Sequence, residues 1–281
     1  MLWKGREGSD NVEDRRGVGG GGLAVGGGIG GLVIYLLYVL LGGNPSNAPE
    51  LLPGQHAANG KQYNNEQNAG DDTLAQFVSV VLKDNEDVWG KLLNGYQKPR
   101  LVIFSNQVQS ACGNARAAVG PFYCPGDSKV YIDLAFFKDL KRRFGATGDF
   151  AMAYVIAHEV GHHIQNLMGT SDKVHHLQQQ SNEKQGNRLS VKLELQADFY
   201  AGIWAHHAQQ MKNILQPGDI EEALVAANSI GDDRLQQEAQ GQVVPDAFTH
   251  GTSAQRMYWF KKGYETGDLN QGNTFSDAGL Q

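Results

Sequence analysis

The chain has 281 residues, a formal net charge of −6, 41% hydrophobic residues and 19% charged residues. That length holds one large domain or two small ones. The basic residues are scattered, which excludes the electrostatic footprint of a nucleic-acid binder, and the two cysteines, Cys112 and Cys124, form no CxxC pair, which argues against a cysteine zinc site.

In chain order, Met1 to Arg16 is polar and mixes both charge signs. Gly17 to Gly43 carries no charge, and Leu32 to Leu41 is continuously apolar. A bilayer core takes about 20 apolar residues in helical form. The run reaches that length only with the glycine-rich stretch from Leu23, and membrane helices tolerate glycine. One uncleaved membrane anchor at 23–42 is therefore expected, ahead of a cleaved signal peptide or a buried core helix, with the lipid bilayer as partner. Lys4, Arg6, Arg15 and Arg16 precede it, and the next basic residue is Lys61. The positive-inside rule then places segment 1–22 in the cytoplasm and the rest of the chain outside.

Residues 43–71, rich in Asn, Gln, Pro and Gly, read as a flexible tether. The folded domain is expected over 72–281. Thr73 to Leu93 has helical periodicity, RLVIFSN (100–106) and KVYIDL (129–134) look like strands, and helical patterns follow at 134–144, 149–168, 187–215, 219–240 and 253–264. Strands early and helices late give an α+β domain. An exported domain is exposed to oxidising conditions, so a Cys112–Cys124 disulfide is expected. Two buried thiols, or a cysteine that masks a metal, are the competing readings.

The chemistry-bearing motif is His158-Glu159-Val160-Gly161-His162, inside the proline-free, apolar-periodic stretch AMAYVIAHEVGHHIQNLM. Residues four apart share a helix face, so both imidazoles can reach one zinc. Glu159 follows the first ligand, where it can act as general base on a water. Gly161 could admit a strand or substrate, or serve packing. His163 points elsewhere and reads as a packing or surface residue.

A catalytic zinc takes a third protein ligand. The candidates are Glu194, Asp198, His175, His176, His206, His207 and His250. Glu194 and Asp198 share one face of an apolar helix, where unpaired carboxylates are costly to bury. The natural division puts Glu194 on the metal and Asp198 on the free ring nitrogen of a ligand histidine, His158 being the expected one. The bland alternative is an ordinary acidic pair on a solvated face. His250, in the turn His250-Gly251-Thr252-Ser253, is either an oxyanion stabiliser or part of a turn in which Thr252 or Ser253 caps a helix. Arg256 is a weaker candidate for the oxyanion role.

HEVGHHIQNLMG followed by RLSVKLELQADFYAGIWAHH resembles the bacterial putative neutral zinc metallopeptidase family, and so do NVEDRRG, GPFYCPGDSKVYIDLAFF, IGDDRLQ and FTHGTSAQRMYWFKKGYETGD. The family is similar to gluzincins, with HExxH completed by ExxxD. The resemblance implies zinc on His158, His162 and Glu194, catalysis by Glu159, a zincin-like fold, and VYIDL as the strand that pairs with substrate. Family members often carry cysteine at the positions of Phe199 and near Gly272, so a second disulfide is absent here. The expected function is a peptidase of the bacterial inner membrane, acting on peptides or proteins from the periplasmic side. The alternatives are a catalytically silent, membrane-tethered binding or scaffold protein and an extracytoplasmic zinc-binding protein.

Overall fold

The apolar runs at 100–104 and 129–133 lie side by side as parallel strands, β2 (Arg100–Phe104) and β6 (Lys129–Asp133). Each is buried along nearly its whole length, as strands covered on both faces must be. Two short strands complete the sheet. β1 (Val12–Asp14) adds in parallel to β2, and β5 (Phe122–Cys124) adds antiparallel to β6, giving the order β1-β2-β6-β5. A separate hairpin, β3 (Gln107–Ser110) and β4 (Gly113–Arg116), stands beside the sheet and is joined to β5 by the Cys112–Cys124 disulfide. The computed structural model describes residues 1–16, 65–116 and 120–276.

Eight α-helices occur among the described residues. α1 (Asn65–Leu92) precedes β2, and α2 (Ala135–Phe144) and α3 (Asp149–Leu167) follow β6. Then come α4 (Thr170–Gln179), α5 (Glu183–Lys212), α6 (Asp219–Ser229), α7 (Asp232–Gln240) and α8 (Ser253–Thr266). The α+β class and the early-strand, late-helix order match the sequence expectation. The core lies between α1, α3, α5 and α8. Trp89, Trp204, Phe150 and Phe260 are fully buried there, and Phe150 stacks on Trp204 at 5.7 Å between centroids.

Three features depart from expectation. The pattern at 219–240 is two helices, because the chain turns at Gly231, whose backbone presses on that of Ser253 and leaves no room for a side chain. The start of α1 reaches back into the expected tether, since the polar stretch from Asn65 contains no proline and its polarity hides the helix from a hydrophobic pattern.

The third departure corrects the domain boundaries. Residues 1–16 are not a segment apart from the domain. Met1 and Trp3 are core residues, and the Trp3 indole N–H donates to Asp149 at 2.6 Å while its ring meets Phe77 edge-on. Arg6 pairs with buried Asp84, Ser9 and Asn11 donate to buried Glu86, and β1 extends the sheet. Asp84 also pairs with Lys212 and Glu86 with Lys98, so the first segment completes the set of partners that compensates these buried carboxylates. No helix among the described residues is long and apolar enough to cross a membrane. The span expected at 23–42 lies outside the described residues, as does the expected tether up to residue 64.

Candidate metal centre

α3 and α5 approach most closely where Gly161 faces Ala197. A Cβ added at Gly161 would lie 2.9 Å from the Ala197 carbonyl oxygen. Hydrogen at this position lets the helix carrying His158 and His162 sit against the helix carrying Glu194 and Asp198. Of the two roles open for Gly161 in the sequence, packing is the one this contact supplies.

Across that contact, Glu194 Oε2 is 3.1 Å from His158 Nε2 and Glu194 Oε1 is 3.4 Å from His162 Nε2. One donor atom from each of the three residues lies within 4.8 Å of the others. Tetrahedral ligands at 2.0–2.1 Å from zinc stand about 3.3 Å apart, so the spacing suits one zinc ion. Two imidazoles and a carboxylate are also the donor chemistry of a three-ligand zinc site.

Both rings are held from behind. His158 Nδ1–H donates to Asp198 Oδ1 at 2.8 Å, and His162 Nδ1–H donates to Gln165 Oε1 at 2.9 Å. Each bond leaves Nε2 for a metal. Gln165 is fully buried and is itself fixed through its amide N–H to the Leu193 carbonyl at 2.7 Å. Sequence reasoning missed Gln165, although its place three residues after His162 on the same helix was a usable signal.

Asp198 is fully buried and multiply partnered. Arg256, itself 2% exposed, donates to both its oxygens at 2.8 and 3.0 Å, and the Tyr154 hydroxyl donates at 2.5 Å. Arg256 therefore serves Asp198, which differs from the oxyanion role considered from sequence. Burial works against the Asp198 carboxylate, but Arg256 and His158 outweigh it and hold its pKa below the usual range. Burial likewise opposes the charged His158, yet Asp198 and Glu194 raise it to about 10. Burial also opposes charge on His162, and Glu194 overcomes it and raises that pKa. The buried Glu194 carboxylate is held well below its ordinary value by the two imidazoles.

Glu159 is 8% exposed. Burial pushes its carboxyl up, opposed by the neighbouring imidazoles and by the Tyr123 backbone N–H. It lines a cavity of roughly 690 Å³ together with His158, His162, Glu194 and His250. Apolar side chains, Phe122, Phe136, Phe144 and Val155 among them, line the same cavity.

His250 also meets its own acid. Its ring Nδ1 lies 3.1 Å from Asp232 Oδ1, while Asp232 Oδ2 accepts the backbone N–H groups of Thr249, His250 and Gly251. Burial disfavours the imidazolium, but Asp232 raises its pKa, with a further push from Glu194. Thr252 caps α8 in a capping box with Gln255, so the turn both starts that helix and lines the cavity. Asp232 was not singled out from the sequence, and its place at the start of α7 gives no hint of a histidine eighteen residues on.

The other candidate histidines are elsewhere. His206 and His207 bond the carbonyls of Tyr264 and Gly267, and His175 and His176 are exposed on α4, His175 at the cavity rim. His163 bonds the Gln97 carbonyl and packs on Tyr96 and Tyr123. The VYIDL strand is corrected as a substrate partner. β6 is paired on both sides, and the edge strand at the cavity is β5, which contributes Phe122 and Tyr123. Cys112 and Cys124 are bonded to each other, so neither masks the site. The ring of Phe199 lies against Gly272, filling the place where the family's second cysteine pair is expected.

Comparison with known proteins gives the family. The family model described as "Putative neutral zinc metallopeptidase" matches residues 1–275. This chain belongs to that family. Escherichia coli (strain K12) has a relative named "Uncharacterized protein YpfJ", 48% identical over 288 residues, covering 99% of this chain and 100% of the relative. "Uncharacterized protein Rv2575" of Mycobacterium tuberculosis (strain ATCC 25618 / H37Rv) is 47% identical over 203 residues, 69% of this chain and 68% of its own. No solved structure matches. The matched range includes residues 1–16, the segment that contributes β1.

Proposed function

We propose that the protein is a membrane-attached, zinc-dependent peptidase with a zincin-like centre. The observation that carries this reading is the position of Glu159. It is a buried carboxylate on the cavity wall, next to three residues spaced for one zinc ion. A purely structural zinc site has no use for such a base. His158, His162 and Glu194 would hold the zinc, which supplies a Lewis acid that polarises a carbonyl and makes water acidic near neutral pH.

Glu159 takes the proton from the attacking water and returns it to the leaving amine. Its raised pKa suits both halves of that exchange. His250, whose imidazolium Asp232 favours, lines the same cavity and would steady the oxygen that becomes negative as the carbonyl is attacked. An extended peptide lies along the outer edge of β5, where main-chain hydrogen bonding extends the sheet. Attachment to the membrane is by the apolar stretch within 17–43.

The test uses the purified full chain, a set of unstructured peptides and zinc analysis. Hydrolysis should require zinc and stop with a chelator. Glu159→Gln should keep its zinc and lose turnover by at least about 10²-fold, whereas His158→Ala should lose zinc as well. Glu159→Gln with full turnover would exclude this mechanism. A zinc-loaded chain that cleaves none of the peptides would favour a silent binding protein.

A further inference from the structure

A chain that crossed a bilayer once between residues 16 and 65 would carry its first sixteen residues on one face and its domain on the other. The fold does not permit that division. β1 pairs with β2 through Val12, Glu13 and Asp14, and Arg15 N–H continues to the Ile103 carbonyl. Trp3 is 6% exposed, wedged against Phe77 and bonded to Asp149 at the start of α3. Asp84 and Glu86, 0% and 2% exposed, take Arg6, Ser9 and Asn11 as partners.

The two ends of the connection also meet. The Arg16 guanidinium lies 3.2 Å from the Asp72 carboxylate on α1. A single crossing would separate its ends by the hydrocarbon core, about 30 Å.

The basic residues that suggested a cytoplasmic start are largely engaged within this fold. Arg6 is on Asp84, Arg15 on Glu13, and Arg16 on Asp14 and Asp72. The Cys112–Cys124 bond then fixes which side is shared, because such bonds persist in oxidising compartments.

From these contacts we infer that residues 1–16 and the domain lie together on the oxidising, extracytoplasmic side. This inference does not depend on the zinc chemistry.

Intact cells producing the full chain provide the test. Asp10→Cys and Lys261→Cys place single thiols at exposed positions of the first segment and of α8, and the two native cysteines are bonded to each other. Glu7→Cys and Lys141→Cys, also exposed, form a second pair should either of the first misfold. A membrane-impermeant maleimide should label both members of a pair to the same extent before and after permeabilisation. Label at Lys261→Cys with residue 10 protected until the membrane is opened would mean a single crossing and overturn the inference. Protection of both sites would overturn the placement outside, and a mature chain lacking residue 10 would overturn the packing of the first segment in the working protein.

Discussion

Gly161 and Ala197 touch across the crossing of α3 and α5, and this contact sets the distance between the HExxH imidazoles and Glu194. A Cβ at 161 cannot be absorbed by a flexible neighbour, because its nearest atom is the Ala197 carbonyl oxygen at 2.9 Å. Gly161→Ala should therefore push the helices apart despite improving helix propensity. The expected loss is about 1–3 kcal/mol of stability, with weaker zinc binding in the same variant. Thermal melts with and without zinc measure both. A variant of unchanged or raised stability would show that the crossing relaxes freely.

Asp198 and Arg256 should separate by what each loses. Asp198→Asn removes the charge behind His158 and should weaken zinc binding about 10- to 100-fold. Arg256→Met leaves Asp198 buried with less compensation and should cost about 3–5 kcal/mol of folding stability. Competition with a chelator reads the first and denaturant unfolding reads the second. Equal zinc affinity in Asp198→Asn would remove Asp198 from support of the metal.

Zinc uptake should release protons. His158, raised to about 10, carries a proton at neutral pH in the metal-free protein, and Glu194 raises His162 in the same direction. A protonated ring must give up its proton to bind zinc, so affinity should climb as pH rises and fall as pH drops. At least about one proton per zinc, from His158, is expected near pH 7. Calorimetry in buffers of different ionisation heat counts them, and a count near zero would mean that the imidazoles are neutral beforehand.

Asp232 should set the alkaline limb of the pH–rate profile. Burial disfavours charge on His250, and the nearby Asp232 carboxylate reverses that, so the imidazolium survives to higher pH. If that cation steadies the transition state, activity is lost as pH rises through its pKa. Asp232→Asn removes the carboxylate, lowers that pKa and should move the alkaline limb of kcat/KM to lower pH. Profiles that superimpose would take His250 out of the chemical step.

Local periodicity already dictates part of this architecture. Residues four apart on a helix share a face whatever the helix packs against, so the pairing of His158 with His162, and of Glu194 with Asp198, was legible before any fold. Apolar periodicity likewise placed α3, α5 and α8, and short apolar runs marked the strands expected at 100–106 and 129–134. Packing settled everything that depends on distant segments meeting. Asp232 reaches His250 and Arg256 is drawn to Asp198 through contacts that no spacing encodes, whereas Gln165, one turn after His162, was within reach of the helical rule. The short strands β1 and β5 also escaped, because three residues carry too little pattern and take their register from partners distant in sequence. The first sixteen residues make the point most plainly. Read alone they are a polar segment of mixed charge ahead of an expected anchor. Packing makes them part of the domain: Met1 and Trp3 enter the core, β1 joins the sheet, and Arg6, Ser9 and Asn11 meet buried Asp84 and Glu86.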